Sequence, residues 1–210
     1  MSVITISRQY ASGGSDVAKL VAGKTGWTLI DNEMVDMVAQ RAGLNREEVA
    51  EREERVAGII DRLASALALS SDDLYATGGG VPTPIPEIQD LAQVTETVIS
   101  GAVKEGNVIL VGRGAQAYLV NQESALHVFV VGSREGRIQR AIERLRIGRE
   151  EAESKIDDID HSRRKYVKTN YGRDWEDPAN YDLCINTSEI SLEDAADLIV
   201  SAVKQKGWCD

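Results

Sequence analysis

The side chains best suited to chemistry in this sequence are basic, and they fall into three groups. One group follows predicted strands, one shares a helix face through spacings of three and four residues, and one lies late in a long predicted helix. In that order they are Arg8 and Arg113; Arg137, Arg140 and Arg144; and Arg163, Arg164 and Lys165. Guanidinium groups that converge on one place suit phosphoryl transfer, in which catalysis consists mainly of positioning and of neutralising charge.

A purely structural interpretation of these arginines stays open. The three on one helix face could pair with nearby glutamates, which are Glu135, Glu143 and Glu150. The predicted helix over residues 149–170 is acidic early and basic late, which suits the helix dipole without any function. Arg113 is harder to explain in this way, because a tight turn between Gly112 and Gly114 has no need of a guanidinium.

The first twenty residues predict a strand, a small-residue turn and a helix. Residues 3–7 (Val-Ile-Thr-Ile-Ser) form an apolar β-branched run, and Ser12, Gly13 and Gly14 allow a tight turn. Ser15 or Asp16 could cap the helix that follows. Such a turn aims backbone N–H groups at one point in front of a helix dipole, which suits a phosphate. The sequence of this turn differs from the pattern G-x-x-x-x-G-K-[ST], because Gly14 stands where the pattern has lysine.

Composition and charge describe an ordinary globular protein with small-molecule partners. The chain has 210 residues, of which 42% are hydrophobic and 28% charged, and the net charge is −10. That charge argues against a broad nucleic-acid or anionic-membrane surface, but a nucleotide needs only a local basic pocket. The two cysteines are far apart in the sequence, which predicts a reduced, cytoplasmic setting. No apolar run approaches the length of a membrane span, and the strand-like start predicts that there is no leader segment. Two histidines exclude a histidine-rich metal site.

Along the chain, predicted strands alternate with predicted helices. Further strands are expected at residues 27–30, 108–111, 126–131 and 183–186, and a final helix is expected after Ser191, with Leu198, Ile199, Ala202 and Val203 inward. This alternation predicts an α/β fold with a parallel sheet covered on both faces. Ligands of such sheets bind beyond the carboxyl ends of the strands, where Arg8, Asp31, Arg113 and Ser133 would emerge.

Residues 32–106 predict a mostly helical insertion between strands. Within it, residues 76–86 contain three glycines followed by three prolines, which indicate a loop. That loop could be a lid or an ordinary flexible connection. We therefore expect one domain over residues 1–210, with a core of residues 1–31 and 107–210, this insertion, and a lid at about 148–176.

Three ordered segments resemble the cytidylate-kinase-like family of P-loop nucleoside-monophosphate kinases. They are residues 4–14 (ITISRQYASGG), residues 108–114 (VILVGRG) and residues 181–187 (YDLCINT). The resemblance implies a P-loop kinase-like three-layer fold with a helical acceptor-binding insertion and an arginine-bearing lid. It also implies transfer of the γ-phosphoryl group of ATP to CMP or dCMP, with Mg²⁺.

Carried over position by position, the resemblance implies a role for each site residue. Ser12, Gly13, Gly14, Ser15 and Asp16 fall at the phosphate loop, with Ser15 and Asp16 on the Mg²⁺ side. Asp31 and Arg113 fall at the acceptor site. The catalytic arginines would be Arg8 and, on the lid side, Arg137, Arg140, Arg163 and Arg164.

The sequence departs from the family pattern at three places. Gly14 stands at the P-loop lysine, Asp16 stands where the pattern would have a magnesium-binding serine or threonine, and Val111 stands where cytidylate kinases have an aspartate before Gly112. Our hypothesis is that Arg8 supplies the missing positive charge. Two other functions stay open, a nucleotide-binding regulatory module with little turnover and a kinase of another small metabolite.

Overall fold

The computed structural model describes residues 2–31 and 88–209. The strands are β1 (Val3–Arg8), β2 (Thr28–Ile30), β3 (Val108–Val111), β4 (Ala125–Val131) and β5 (Leu183–Asn186). The helices of the described residues are α1 (Gly14–Thr25), α2 (Ile88–Glu105), α3 (Ala115–Tyr118), α4 (Arg134–Leu145), α5 (Arg149–Tyr171) and α6 (Leu192–Gln205). A single 3₁₀ turn, Pro178–Asn180, precedes β5.

The five strands form one parallel sheet in the order β2-β3-β1-β4-β5. In the central pairings Ile6 lies opposite Val111 of β3, and Arg8 lies opposite Val130 of β4. The turns that follow β1, β3 and β4 therefore leave the same edge of the sheet. The predicted α/β fold with a parallel sheet is confirmed, and that edge is where ligands of open α/β sheets bind.

Two apolar clusters cover the two faces of the sheet. On one face, Ile4, Ile6 and Val128 pack with residues of α1 and α6, including Val17 and Ile199. The opposite face carries Phe129, which packs with Ala117 of α3 and with Val167 and Trp175. Since successive side chains of a strand point to opposite faces, the apolar β-branched strands are buried on both sides. The result is the three-layer arrangement that the sequence predicts.

Some local expectations are wrong. Helix α1 begins at Gly14 with Gly13 in the left-handed conformation before it, so neither Ser15 nor Asp16 caps it. Leu198 is 47% exposed, because the inner face of α6 is made by Ala195, Ala196, Ile199 and Val203. Ser191 does cap α6, since its side chain accepts a hydrogen bond from the N–H of Asp194. The short helix α3 was not predicted.

By its contacts the chain divides into two compact units, residues 1–32 with 106–210 and residues 33–105. The five strands lie in the first unit, and α2 lies in the second. The predicted helical part of the insertion over residues 32–75 and the predicted loop at 76–86 lie outside the described residues. None of the helices described here combines the length and the apolar character that crossing a membrane requires.

Candidate active site

The turn between β1 and α1 is held tightly by its own backbone and by neighbouring strands. The N–H of Gln9 donates to the carbonyl of Val130, and the N–H of Ser12 donates back to the carbonyl of Gln9 at 3.3 Å. The Ser12 hydroxyl lies 2.9 Å from the Gln9 carbonyl oxygen and 3.1 Å from that of Val130. Thr187, which follows β5, donates its hydroxyl to the carbonyl of Ser12 at 2.6 Å. The turn is therefore fixed to the edge of the sheet.

Arginines from α4 and α5 hold the carbonyl groups of this turn. Arg163 donates to the carbonyl of Arg8 at 2.8 Å, Arg137 to that of Tyr10 at 3.2 Å, and Arg140 to that of Ala11 at 2.9 Å. The two helices therefore hold three carbonyl groups of the turn in place through guanidinium groups.

A buried carboxylate, Asp160 of α5, connects these arginines with the turn. Its side chain is 3% exposed and lies 2.6 Å from Nη1 of Arg137 and 3.3 Å from Nη1 of Arg163. It also accepts the N–H of Tyr10 at 2.7 Å. Replacing a buried ion pair by apolar residues is often neutral or stabilising, so stability alone is a weak reason for such a cluster. Its geometry instead ties α4 and α5 to one peptide of the turn.

The start of α1 faces a cavity of about 190 Å³, which we call the turn cavity. Its lining includes most residues of the turn together with Arg8, Arg140, Arg144 and Arg163. The first N–H groups of a helix have no partner inside the helix, and no side chain caps this one. Uncapped N–H groups, the helix dipole and four guanidinium groups make this cavity suited to phosphate oxygens.

A second cavity, of about 340 Å³, lies beyond β1 and β3, and we call it the β3 cavity. Arg113 enters it from a turn in which three successive residues, Gly112, Arg113 and Gly114, have positive φ angles of 79°, 51° and 69°. A Cβ on Gly114 would overlap the Tyr171 ring, so the turn also needs glycine for space. The remaining walls include Gln116, Tyr166 and Trp175.

Arg8 and Arg163 line both cavities. The pKa of Arg8 is lowered to about 9, chiefly by burial and next by the charge of Arg163; Asp31 acts in the opposite direction, and Arg113 contributes a smaller lowering. Burial likewise lowers the pKa of Arg163, although Asp160 opposes this. These environments disfavour uncompensated positive charge, so they favour binding of an anion between the two cavities.

The structure gives the other predicted lid residues different surroundings. Arg137 lines neither cavity, because it is 7% exposed and is held by Asp160 and the Tyr10 carbonyl. Arg164 also lines neither cavity and pairs with Glu176 at 3.1 Å. Within residues 2–31 and 88–209, no ion pair joins Arg137, Arg140 or Arg144 to a glutamate, although the structural alternative supposed such pairs. Arg144 pairs with Asp16 at 2.9 Å, and Glu135 pairs with Arg149 at 2.7 Å.

The remaining predicted site residues lie at the same edge of the sheet. Ser12 is buried within the turn, and Gly13, Gly14, Ser15 and Asp16 line the turn cavity. Asp31 follows β2 and acts electrostatically on Arg8. Among residues 2–31 and 88–209 there is no group of three acidic, histidine or cysteine residues placed to hold a metal. Mg²⁺ in phosphate-binding sites commonly takes one or two protein ligands and completes its shell with water and phosphate, which the Ser15 hydroxyl fits.

Sequence reasoning missed Asp160, Gln116, Tyr166 and Trp175. Asp160 stands three residues before Arg163, a spacing that places both on one helix face, but the acidic start of this helix was interpreted as a response to the helix dipole. Trp175 packs on Phe129, with ring centroids 5.3 Å apart. It also lines the β3 cavity, and only the fold reveals this.

Comparison with known proteins agrees with this geometry. A cytidylate kinase of Archaeoglobus fulgidus is 28% identical over 208 residues, which cover 97% of this chain and 95% of that protein. A cytidylate kinase of Pyrococcus horikoshii is 35% identical over 102 residues, 49% of this chain and only about half, 52%, of that protein.

Solved structures show the same fold. An uncharacterized protein from Eubacterium ventriosum matches with a TM-score of 0.70 at 21% identity, over 97% of this chain and 99% of that one. Shikimate kinase from Acinetobacter baumannii matches with a TM-score of 0.51 at 12% identity, over 98% and 94% of the two chains. The sequence profile of the Cytidylate kinase-like family matches residues 3–189. The chain therefore belongs to the cytidylate kinase-like family.

Proposed function

We propose that this protein transfers the γ-phosphoryl group of ATP to a nucleoside monophosphate, with CMP or dCMP as the first acceptors to test. The observation that carries the proposal is the pair of adjoining cavities that share Arg8 and Arg163. Transfer between two phosphates requires the donor and acceptor to meet in line, with positive charge at the meeting point. The turn cavity would hold the donor phosphates, and the β3 cavity would hold the acceptor.

The β3 cavity favours an acceptor phosphate over an acceptor hydroxyl. Three arginines, Arg8, Arg113 and Arg163, line this cavity. Among the described residues, no aspartate, glutamate or histidine lines it. A hydroxyl acceptor benefits from a general base within hydrogen-bond reach, whereas a phosphate monoester is already ionised near neutral pH. Tyr166 and Trp175 add aromatic surface, against which a planar base can pack.

Within this mechanism the chain positions and neutralises. Backbone N–H groups at the start of α1, with Arg140 and Arg144, would hold the donor phosphates. Arg113 would hold the acceptor phosphate, and Arg8 with Arg163 would neutralise charge that develops between them. Mg²⁺, held in part by Ser15, would supply further neutralisation of the donor phosphates.

One observation favours a second function, that of a nucleotide-binding regulatory module with little turnover. The turn lacks the usual lysine, and Asp16 places a carboxylate on the wall of the turn cavity. An aspartate repels phosphate unless a cation stands between them, and here Arg144 pairs with it.

A panel of acceptors tests these functions directly. ADP release would be measured with ATP, Mg²⁺ and each of CMP, dCMP, UMP, AMP, GMP and shikimate, with ATP binding measured by calorimetry on the same protein. We expect turnover with a pyrimidine monophosphate and none with shikimate. ATP binding without turnover of any acceptor would select the regulatory module, and turnover of shikimate alone would contradict a phosphate acceptor.

A further inference from the structure

The space next to Gly14 is already filled by the side chain of Arg8. A Cβ built on Gly14 would lie 2.5 Å from Cβ of Arg8, 3.1 Å from Cγ of Arg8 and 3.2 Å from Cβ of Val130. Atoms so close to the backbone cannot swing aside as the end of a flexible side chain can. A side chain at residue 14 therefore conflicts with any side chain at residue 8.

With Gly14 at the lysine position, Ser15 and not Asp16 fills the last position of the pattern G-x-x-x-x-G-K-[ST], so the turn departs from this general pattern at residues 8 and 14. The pattern has glycine at the place of Arg8 and lysine at the place of Gly14, so the large cationic residue and the glycine have exchanged places. We propose that Arg8 is the phosphate-binding cation of this turn, moved from the start of the helix to the end of the strand, and that side chains at 8 and 14 exclude each other. This inference rests on the proposed function for its ligand, ATP, but its steric part does not.

The surroundings of Arg8 agree with such a role. Its Nε atom is buried with no hydrogen-bond partner among the described residues, and its carbonyl is held by Arg163. A buried, incompletely paired guanidinium is costly in a folded protein unless an anion completes its bonding. The side chain borders the turn cavity and the β3 cavity alike, so an anion in either could do this.

The exchange has a consequence for the ligands. A lysine at the start of the helix binds the β- and γ-phosphates of the donor. A guanidinium at the end of β1 borders both cavities and has five N–H donors, enough to contact donor and acceptor phosphates together. Loss of Arg8 should therefore weaken the binding of both ATP and the acceptor.

Four variants test the exchange: Gly14→Lys, Arg8→Gly, the double variant with both changes, and Arg8→Ala combined with Gly14→Lys. The last is the matched control, because alanine removes the charge of Arg8 but keeps the Cβ that conflicts with residue 14. For each we would measure ATP binding by calorimetry without acceptor, and the thermal unfolding midpoint without any ligand.

We expect Gly14→Lys to lower the unfolding midpoint, and Arg8→Gly to weaken ATP binding about 10- to 100-fold. The double variant should regain part of both losses, because it restores the usual arrangement of glycine and lysine. The alanine control should have a lower unfolding midpoint than the double variant, because the Cβ of its alanine still conflicts with the side chain at residue 14. A pair limited to Gly14→Ala and Arg8→Gly tests the steric part if the lysine side chain itself is not accommodated.

Several results would overturn the proposal. These are an unchanged unfolding midpoint in Gly14→Lys, wild-type ATP affinity in Arg8→Gly, equal recovery in the glycine and alanine combinations, or no recovery in either glycine pair. A wild-type protein that binds ATP but turns over no acceptor would contradict the proposed kinase activity alone. The coupling between residues 8 and 14 would still be measurable in that case.

Discussion

The turn cavity and the β3 cavity share two arginines but differ in the other residues that line them. The lining of the turn cavity includes the small residues Ala11 and Gly13 of the turn and Gly14 at the start of α1. The lining of the β3 cavity includes Gln116, Tyr166 and Trp175. Backbone groups bind any phosphate chain, whereas side chains of defined shape discriminate among acceptors. If the proposed function is correct, we expect general phosphate binding in the turn cavity and selectivity for the acceptor in the β3 cavity.

The largest effect should come from a residue common to both cavities. Arg163→Met should lower kcat/KM for both ATP and the acceptor by about 10³-fold, because one arginine at the transferring phosphoryl group contributes about that much in such enzymes. Steady-state ADP release at varied concentrations of each substrate would measure it. Arg134→Met is the control, since Arg134 is exposed and pairs only with Asp157 among the described contacts. An effect on one substrate alone would contradict a shared position.

Asp160 should affect both cavities indirectly. In Asp160→Asn the amide oxygen can still accept the N–H of Tyr10, but Arg137 loses its buried anion. Breaking such a pair costs about 3–5 kcal/mol of unfolding free energy, and we expect kcat to fall about 10- to 100-fold while both KM values change less. Urea unfolding and steady-state kinetics would measure the two effects.

The control for Asp160 is Asp157→Asn, one turn earlier on α5. Its carboxylate is 60% exposed in an ion pair with Arg134, and exposed pairs contribute at most about 1 kcal/mol. Equal losses in the two variants would contradict a positioning role for Asp160. A loss of stability in Asp160→Asn with unchanged kcat would reduce its role to a structural one.

Arg113→Met should separate the two cavities. Arg113 lines the β3 cavity and not the turn cavity, so the KM of the acceptor should rise about 10- to 100-fold while the affinity for ATP stays near that of the wild type. Calorimetry with ATP and kinetics with CMP would measure the separation. A comparable loss of ATP affinity would show that the two cavities are not independent binding sites.

Arg144→Met should give the converse separation with a smaller effect. Arg144 lines the turn cavity alone, and its side chain is 58% exposed, so solvent and salt screen its charge. We expect the affinity for ATP to fall about 3- to 10-fold at low salt and less at high salt, with an unchanged acceptor KM. A fall that is independent of salt would contradict a screened contact with phosphate.

The smallest effect concerns a group that neither cavity contains. Burial lowers the pKa of His127, whose Nδ1 lies 2.7 Å from the Thr5 hydroxyl. The imidazole of His127 therefore binds a proton more readily in the unfolded chain than in the folded protein. The free energy of unfolding should fall as the pH drops below the pKa of the unfolded chain, which is about 6.5. Urea unfolding between pH 5 and 8 would show a weaker decline in His127→Gln. Equal declines would show that other groups cause it.

The comparison also shows what sequence patterns can reach. The order and type of the core strands and most helices followed from apolar periodicity, since β3 is an unbroken apolar run, β1 is rich in β-branched apolar residues, and Ser191 marks the start of α6. The edge at which Arg8, Arg113 and Asp31 meet followed from the general rule for parallel sheets. The choice of the residues that face inward on a helix was less accurate, since Leu198 was expected to face inward but is exposed.

The parts that could not be predicted depend on contacts between distant residues. The hydrogen bond from the N–H of Tyr10 to Asp160 spans 150 positions. The space at Gly14 is limited by Val130 of β4 and by Arg8, against which the folded turn places residue 14. No local period encodes either of them. The arginines of α4 and α5 were predicted to face phosphate. In the structure Arg137, Arg140 and Arg163 donate hydrogen bonds to backbone carbonyl groups of the turn.

A bisubstrate ligand tests most directly whether the two cavities form one phosphoryl-transfer site. Adenosine and cytidine joined through five phosphates would occupy both cavities at once if the cavities meet at Arg8 and Arg163. We expect calorimetry to show a Kd at least about 10²-fold below that of ATP, with affinity lost in Arg113→Met, because the second half binds at high effective concentration. Binding no tighter than ATP, and unaffected by Arg113→Met, would contradict it.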